Sequence, residues 1–280
     1  MVRQAAEPGG LGDTRKAVLA AADGLEIECV LIPMAGPNGT ARASLCVSSQ
    51  AGCRMGCAFC ETGRQGFARD LTAAEIVGQV LSTRFKLGWE FSNVVFMGMG
   101  EPLDNLDNLI QALAVLADKS GLRLAQERLT VCSCGRLEGL RRLAELGWPR
   151  LNVSLSLNAG RDELRRRLMP GAAGLAELGA LLAAWPRRRN FGFGINYCLL
   201  PGINDTDEEI EGLAGFCATI GRCLLNVIPY NPGSRPIAPA PSEDEIEGFI
   251  ERLRGRGLDV RRRATKGRSI MAGCGQLGRG

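Results

Sequence analysis

Residues 44–66 read SLCVSSQAGCRMGCAFCETGRQG. A short apolar strand, residues 45–48, runs straight into a loop that carries Cys53, Cys57 and Cys60 in the spacing C-x3-C-x2-C, with Phe59 directly before the third cysteine. Three thiolates from one short loop suit a cubic iron–sulfur cluster, because each sulfur must reach a different iron close to its neighbours. The fourth iron is then left without a protein ligand and is open to a small molecule. A zinc knuckle is the competing reading, but zinc takes four tetrahedral ligands, and this chain has no histidine to supply the fourth.

Upstream of the loop, residues 16–33, KAVLAAADGLEIECVLIP, form two apolar strands around Asp23-Gly24. Both turn residues tolerate positive φ, so the segment reads as an ordinary edge hairpin. Downstream, Thr72 and Glu75 make a capping box, and apolar residues recur at helical spacing from Ile76 through Val80 to Leu87. Strand-like runs then fall at 93–97, 129–132, 151–157, 193–199 and 224–228, each dense in apolar residues as a strand buried on both faces should be. Helical segments lie between and after them, near 105–119, 137–146, 175–185, 207–220 and 243–254. With residues 45–48 these make about six β/α units, which implies a parallel sheet with right-handed crossovers. Six units are too few to close an eight-stranded barrel. The expected fold is therefore α/β, a partial (β/α)6 TIM-like barrel, with a short N-terminal β-hairpin extension. The expected division is 1–43 for the arm and hairpin and 44–280 for the barrel, whose edge a late strand at 258–262 extends. The proline-rich stretch 229–241 reads as a loop after the sixth strand.

The 280 residues are 45% hydrophobic, enough for a substantial core in one large domain. There are eleven cysteines, an odd number, and the start MVRQAAEPGG has no apolar signal region. A reducing cytoplasm is expected, with cysteines serving as ligands or reagents. No apolar run approaches membrane-spanning length. The net charge of +4 is too mild to imply a polyanionic partner by itself. Without histidine, the usual proton shuttle at neutral pH is missing, and acid–base work falls to cysteine, carboxylate or lysine.

Ligands in parallel α/β sheets sit beyond the carboxyl ends of the strands, and three irregular segments occupy such positions. Gly98-Met99-Gly100-Glu101-Pro102 follows the second strand; its glycines let backbone approach a ligand, and Glu101 can accept hydrogen bonds from an ammonium group. A plain turn is the alternative. Ser154-Leu155-Ser156-Leu157-Asn158 ends the fourth strand, where hydroxyl and amide groups suit a ribose and equally suit capping of backbone groups. In Ile228-Pro229-Tyr230-Asn231-Pro232, prolines hold Asn231 in a nearly fixed backbone, which suits ligand contact or a turn. Near the end, Cys274 is flanked by glycines in IMAGCGQL. A cysteine in a mobile glycine-rich segment can be carried into a pocket as a reagent, the alternative being an incidental tail thiol. Three basic clusters, Arg165 to Arg167, Arg187 to Arg189, and Arg261 to Arg263 with Lys266 and Arg268, read as solvated faces. The last adjoins Cys274 and also suits phosphate contact.

Taken together, LCVSSQAGC, CAFC-x-TG-x-QGF, MGMGEPL, IPYNP and CGQL make the chain resemble, from Gly12 onward, the RlmN/Cfr family of radical S-adenosylmethionine (SAM) methylases, which methylate adenine at C2 or C8 in RNA. The resemblance implies that Cys53, Cys57 and Cys60 hold a 4Fe–4S cluster whose open iron binds the amino and carboxylate groups of SAM. It implies that Gly100, Glu101, Ser156 and Asn231 contact SAM. Asn158, standing where the family usually has histidine, is counted with them for its amide. Cys46 and Cys274 become the two working cysteines. In the implied reaction one SAM methylates the sulfur of Cys274, and a 5′-deoxyadenosyl radical from a second takes hydrogen from that methyl group. The resulting methylene radical adds to an electrophilic sp2 carbon. Cys46 then removes a proton and attacks the sulfur of Cys274, which releases the methylated product and leaves a disulfide. An amidine carbon is not nucleophilic, so a radical route is needed there, and cysteine as general base suits a chain without histidine. A flavodoxin or ferredoxin-type reductant is implied, and a monomer is expected.

The chain departs from the family pattern at several points. Family members begin with an extra domain of about a hundred residues that helps bind RNA, whereas here a short arm precedes the hairpin. The expected substrate is accordingly an RNA adenine or a nucleotide-like, heteroaromatic small molecule. Cys132 stands where serine is usual, and Ser269 where aspartate is usual. The alternatives are a radical SAM tailoring enzyme without methyl-cysteine chemistry and an iron–sulfur electron-transfer or sensor protein.

Overall fold

The computed structural model describes residues 3–36 and 39–278. Three strands open it: β1 (Arg3–Glu7), β2 (Thr14–Ala20) and β3 (Glu26–Ala35), each antiparallel to the next. β3 pairs antiparallel with β4 (Ala41–Cys46) over Val30↔Cys46 to Ala35↔Ala41. After β4 the chain makes a small separate sheet, β5 (Gln50–Gly52) against β6 (Phe67–Asp70), which brackets the cysteine loop and a short helix, α1 (Glu61–Gln65). From there the strands β7 (Asn93–Phe96), β8 (Leu129–Ser133), β9 (Asn152–Ser156), β10 (Phe193–Leu199), β11 (Cys223–Pro229) and β12 (Val260–Arg262) follow. Each lies parallel beside its predecessor, and β7 lies parallel to β4. The ten strands outside the small sheet form one open sheet in sequential order.

Six helices cross between these strands or follow them: α2 (Ala73–Leu81), α3 (Leu106–Ala117), α4 (Leu137–Glu145), α6 (Leu175–Ala183), α7 (Asp207–Ile220) and α8 (Glu243–Gly255), with the short α5 (Asp162–Leu168) between β9 and α6. Six β/α units and no closure among the described residues make the expected partial barrel. The Thr72–Glu75 capping box starts α2 as expected, and a π-type turn over Ser82–Lys86 continues it.

The central strands are not apolar on both faces. In β9, Val153 and Leu155 are buried against the helices while Asn152, Ser154 and Ser156 point the other way, the period-two alternation of a strand with two different neighbours. Across the sheet Asn93, Thr130, Asn196 and Asn226 continue that polar side, while Val94, Val131, Ile195 and Val227 belong to the core under the helices. That side of the sheet is thus polar, and the side under the helices apolar.

Candidate active site

The carboxyl ends of the parallel strands surround a cavity of about 150 Å³. Cys53, Cys57 and Cys60 from the loop after β4 line it, as do Gly100 and Glu101 after β7 and Ser156 and Asn158 at the end of β9. The cysteine loop is fixed at several points: Cys53 N–H donates to the Gly66 carbonyl (2.8 Å), Cys60 N–H to that of Cys57 (3.1 Å), and Ala58 N–H to that of Leu168 on α5 (2.9 Å). All three thiols are free. Burial pushes the Cys53 thiol up to about 12, and it pushes Cys57 up as well, with the neighbouring Cys60 and Cys53 sulfurs adding to the effect. Among the described residues no three Cys, Asp or Glu side chains converge on one point as a single ion requires. Three thiols serving three corners of a cube have no need to converge.

Glu101 is buried and makes no ion pair among the described residues. Its Oε1 accepts from Leu103 N–H (3.0 Å), and its Oε2 accepts from Cys134 N–H (2.9 Å) and the Cys134 thiol (3.0 Å). Desolvation raises its pKa even though these bonds pull the other way. A buried carboxylate facing a cavity without a cationic partner fits a ligand that brings a cation, such as the ammonium of SAM. The glycines beside it answer a different need. A Cβ on Gly98 would lie 2.6 Å from the Val47 carbonyl oxygen, and one on Gly100, whose φ is +99°, would lie 2.6 Å from the Gln50 Cβ. They let the loop after β7 lie close against the segment from Val47 to Gln50 that joins β4 to β5.

The amide of Asn158 is committed within the protein, its Oδ1 accepting from Cys198 N–H at 2.8 Å and its Nδ2 donating to the Met169 sulfur. With φ at +59° it turns the chain out of β9. Its own carbonyl accepts from Asn204.

A second cavity, about 270 Å³, adjoins the first on the polar side of the sheet, sharing Met97, Cys132 and Cys274 with it. Cys46, at the end of β4, and Asn231 line this one. Asn231 holds the tail, its Nδ2 donating to the Cys274 carbonyl (3.4 Å) and its Oδ1 accepting from Arg268 Nε (3.1 Å). Cys274 lines both cavities, and the surface it exposes faces them. Protein around it raises its thiol pKa by desolvation, against the pull of Arg263. Cys46 is likewise a free thiol, its pKa lifted well above the usual range by desolvation and then by the Cys274 sulfur.

Several residues take places that the sequence did not assign them. Cys132 lines both cavities, accepts from Asn196 Nδ2 (3.3 Å) and is pushed up to about 12 by burial. Cys198, at the end of β10, lines the first. Arg165 does not lie on a solvated face with Arg166 and Arg167: it is 1% exposed. Its guanidinium donates to the carbonyls of Cys134, Ser156, Leu157 and Ala173, so it ties the ends of β8 and β9 to α5. The last basic cluster is divided. Arg262 pairs with Glu243 and Glu247, Lys266 donates to the Pro33 carbonyl, Arg268 braces Asn231, and Arg263 and Lys266 line the second cavity.

An open sheet of six β/α units, a three-thiol loop at its carboxyl ends and a buried carboxylate after the next strand define a radical SAM enzyme. Residues 47–217 match the family model described as the Radical SAM superfamily. The chain is 42% identical over 269 residues to a probable dual-specificity RNA methyltransferase RlmN of Protochlamydia amoebophila, covering 95% of this chain and 74% of that protein. It is also 42% identical over 280 residues to the dual-specificity RNA methyltransferase RlmN of Pelobacter propionicus, covering 98% and 77%. A crystal structure of a radical SAM methyltransferase from Sphaerobacter thermophilus superimposes with a TM-score of 0.86 at 34% identity, covering 98% of this chain and 80% of that one. The chain belongs to the RlmN family of radical SAM methyltransferases, and membership implies a 4Fe–4S cluster and SAM. Among the described residues no helix is long and apolar enough to cross a membrane.

Proposed function

We propose that this enzyme methylates an sp2 carbon of an adenine base in RNA, with Cys274 as the carrier of the methyl group. The observation that carries the reading is the position of Cys274, in the wall of the cavity bounded by Cys53, Cys57, Cys60 and Glu101 and also in the wall of the cavity that contains Cys46. Cys53, Cys57 and Cys60 would hold the cluster, and Glu101 would take the ammonium of SAM. Gly100 and Ser156 lie along the same wall, and Asn158 and Asn231 act by shaping the strand end and holding the tail. Bound there, the cluster and SAM supply the methyl group and the hydrogen-abstracting power.

The protein's own part in this proposal falls to Cys274 and Cys46, which both line the second cavity. Cys274 Sγ takes the methyl group and, after loss of one hydrogen from it, becomes joined through that carbon to the base. Cys46 Sγ, as thiolate, removes the proton from the substrate carbon while the adduct gives up one electron, which the bound cluster would accept. The Cys46 sulfur then attacks Cys274 Sγ as its proton passes to the departing methylene carbon. The carbon–sulfur bond breaks, the methylated base leaves, and a Cys46–Cys274 disulfide remains for a reductant to open. An RNA base is supported by the relatives' descriptions and by the second cavity, whose lining includes the polar Asn196 and Asn226 and the cationic Arg263. A flavodoxin or ferredoxin-type electron donor, a cytoplasmic location and a monomeric working form complete the proposal.

The test is Cys274→Ala, reconstituted anaerobically with iron and sulfide and incubated with SAM, reductant and RNA that lacks adenine methylation. No methyladenosine is expected in the digested RNA. Methylation at the wild-type rate would show that Cys274 carries nothing.

A further inference from the structure

We infer that the N-terminal hairpin is a clasp for the reactive tail, with Lys16 and Glu28 as positioning residues for Cys274. The inference rests on the proposed role of Cys274, but the contacts that carry it do not depend on that role. In the register of β2 and β3, Lys16 faces Val30 and Val18 faces Glu28, so the two charged side chains lie diagonally on one face. Both are nearly sealed, at 6% and 2% exposure. Lys16 Nζ meets Glu28 Oε1 at 3.3 Å and also donates to the Met271 carbonyl at 3.2 Å. The other carboxylate oxygen of Glu28 accepts from Gly278 N–H at 3.0 Å. A single ion pair thus grips the tail on both sides of Cys274.

The match is directional: the cation meets a carbonyl and the anion meets an N–H. A buried ion pair costs more desolvation than an apolar pair of the same size, so a hairpin that merely finished the sheet edge would be served as well by apolar residues. Met271 itself sits at φ +51°, a left-handed conformation that a non-glycine residue holds only when its surroundings impose it. Around the clasp, Val30 and Cys46 pack with Ala272 and Leu277 in a small apolar cluster of their own. Glu7 of β1 accepts from the N–H groups of Gly267 and Ser269 at the entry to the tail.

Two double variants test this, both in the cluster-loaded enzyme, where the cluster shields its own ligands. Lys16→Met/Glu28→Leu removes the pair without leaving a buried charge. Lys16→Glu/Glu28→Lys keeps an ion pair but sets carboxylate against carbonyl and ammonium against N–H. Alkylation of Cys274 by a maleimide, followed by mass spectrometry, is expected to accelerate about tenfold in both, the scale of a lost charged hydrogen bond. The kcat for methylation is expected to fall with KM for RNA unchanged. If the swapped pair alkylates and turns over at the wild-type rate, the pair is structural and the inference is wrong. Should the swap not fold by far-UV circular dichroism, the isosteric Glu28→Gln takes its place, and alkylation at the wild-type rate in that variant overturns the inference equally. Failure of the proposed function is a separate result, since Cys274→Ala would then still methylate while the alkylation difference persisted.

Discussion

The Cys46 thiol is closed in by protein, and that enclosure governs its chemistry. Its pKa lies well above the usual range because desolvation disfavours the thiolate and the Cys274 sulfur adds to the effect. A group with a raised pKa is protonated below it, so the thiolate fraction is small at neutral pH and grows as pH rises. Single-turnover methylation should therefore keep climbing from about pH 7 to about pH 9 without a plateau; a profile already flat near neutral pH would assign the proton transfer to another group. Arg165 is a second case where surroundings outweigh residue type. A run of three arginines does not show which one the fold turns inward, and only the short α5 decides it. Arg165→Met leaves buried carbonyls without a donor and should lower stability by about 3 kcal/mol or more, read as a drop in the midpoint of thermal or urea unfolding. An unchanged midpoint would mean that other donors replace the guanidinium.

At the scale of elements, what was legible in the sequence was what repeats over several turns or strand residues. The strands β7 to β11 declared themselves as runs dense in apolar residues, α3, α4, α6, α7 and α8 as the helical segments between and after them, and the capping box fixed the start of α2. Thr72→Ala should cost about 1 kcal/mol in unfolding free energy, while an unaltered unfolding curve would show that the Glu75 half of the box suffices. The small sheet of β5 and β6, and the helices α1 and α5, span too few residues to show a period. The alternation in β9 was present as Asn-Val-Ser-Leu-Ser, but its polar side acquires meaning only once neighbouring strands place Asn196 and Asn226 on the same concave face. The hairpin held an overlooked signal: Lys16 and Glu28 share a strand face with Val18 and Val30, and charges at such positions need a reason to be buried. The tail read as mobile because of its glycines. In the structure Glu61 N–H donates to the Gly275 carbonyl and the Thr62 hydroxyl to that of Leu277, so those glycines serve a folded path.

For the whole molecule, the site and the core are separate. Cys53 belongs to a small apolar cluster with Met55, Cys134 and Leu164, and Cys57 packs against it, whereas the main core lies between the sheet and its helices. Replacing Cys53, Cys57 and Cys60 together by alanine should keep the far-UV circular dichroism spectrum while abolishing reductive cleavage of SAM to 5′-deoxyadenosine. Loss of the folded spectrum would mean that the loop supports the barrel as well as the chemistry. In the proposed reaction one carbon joins Cys274 to the substrate, and Cys46 is the residue that frees it. The most direct measurement is mass spectrometry of the Cys274 peptide from a Cys46→Ala enzyme that has been given SAM, reductant and RNA. A peptide bearing a nucleotide through one added carbon on Cys274 is the predicted result, and an unmodified peptide beside methylated RNA is the result that contradicts it.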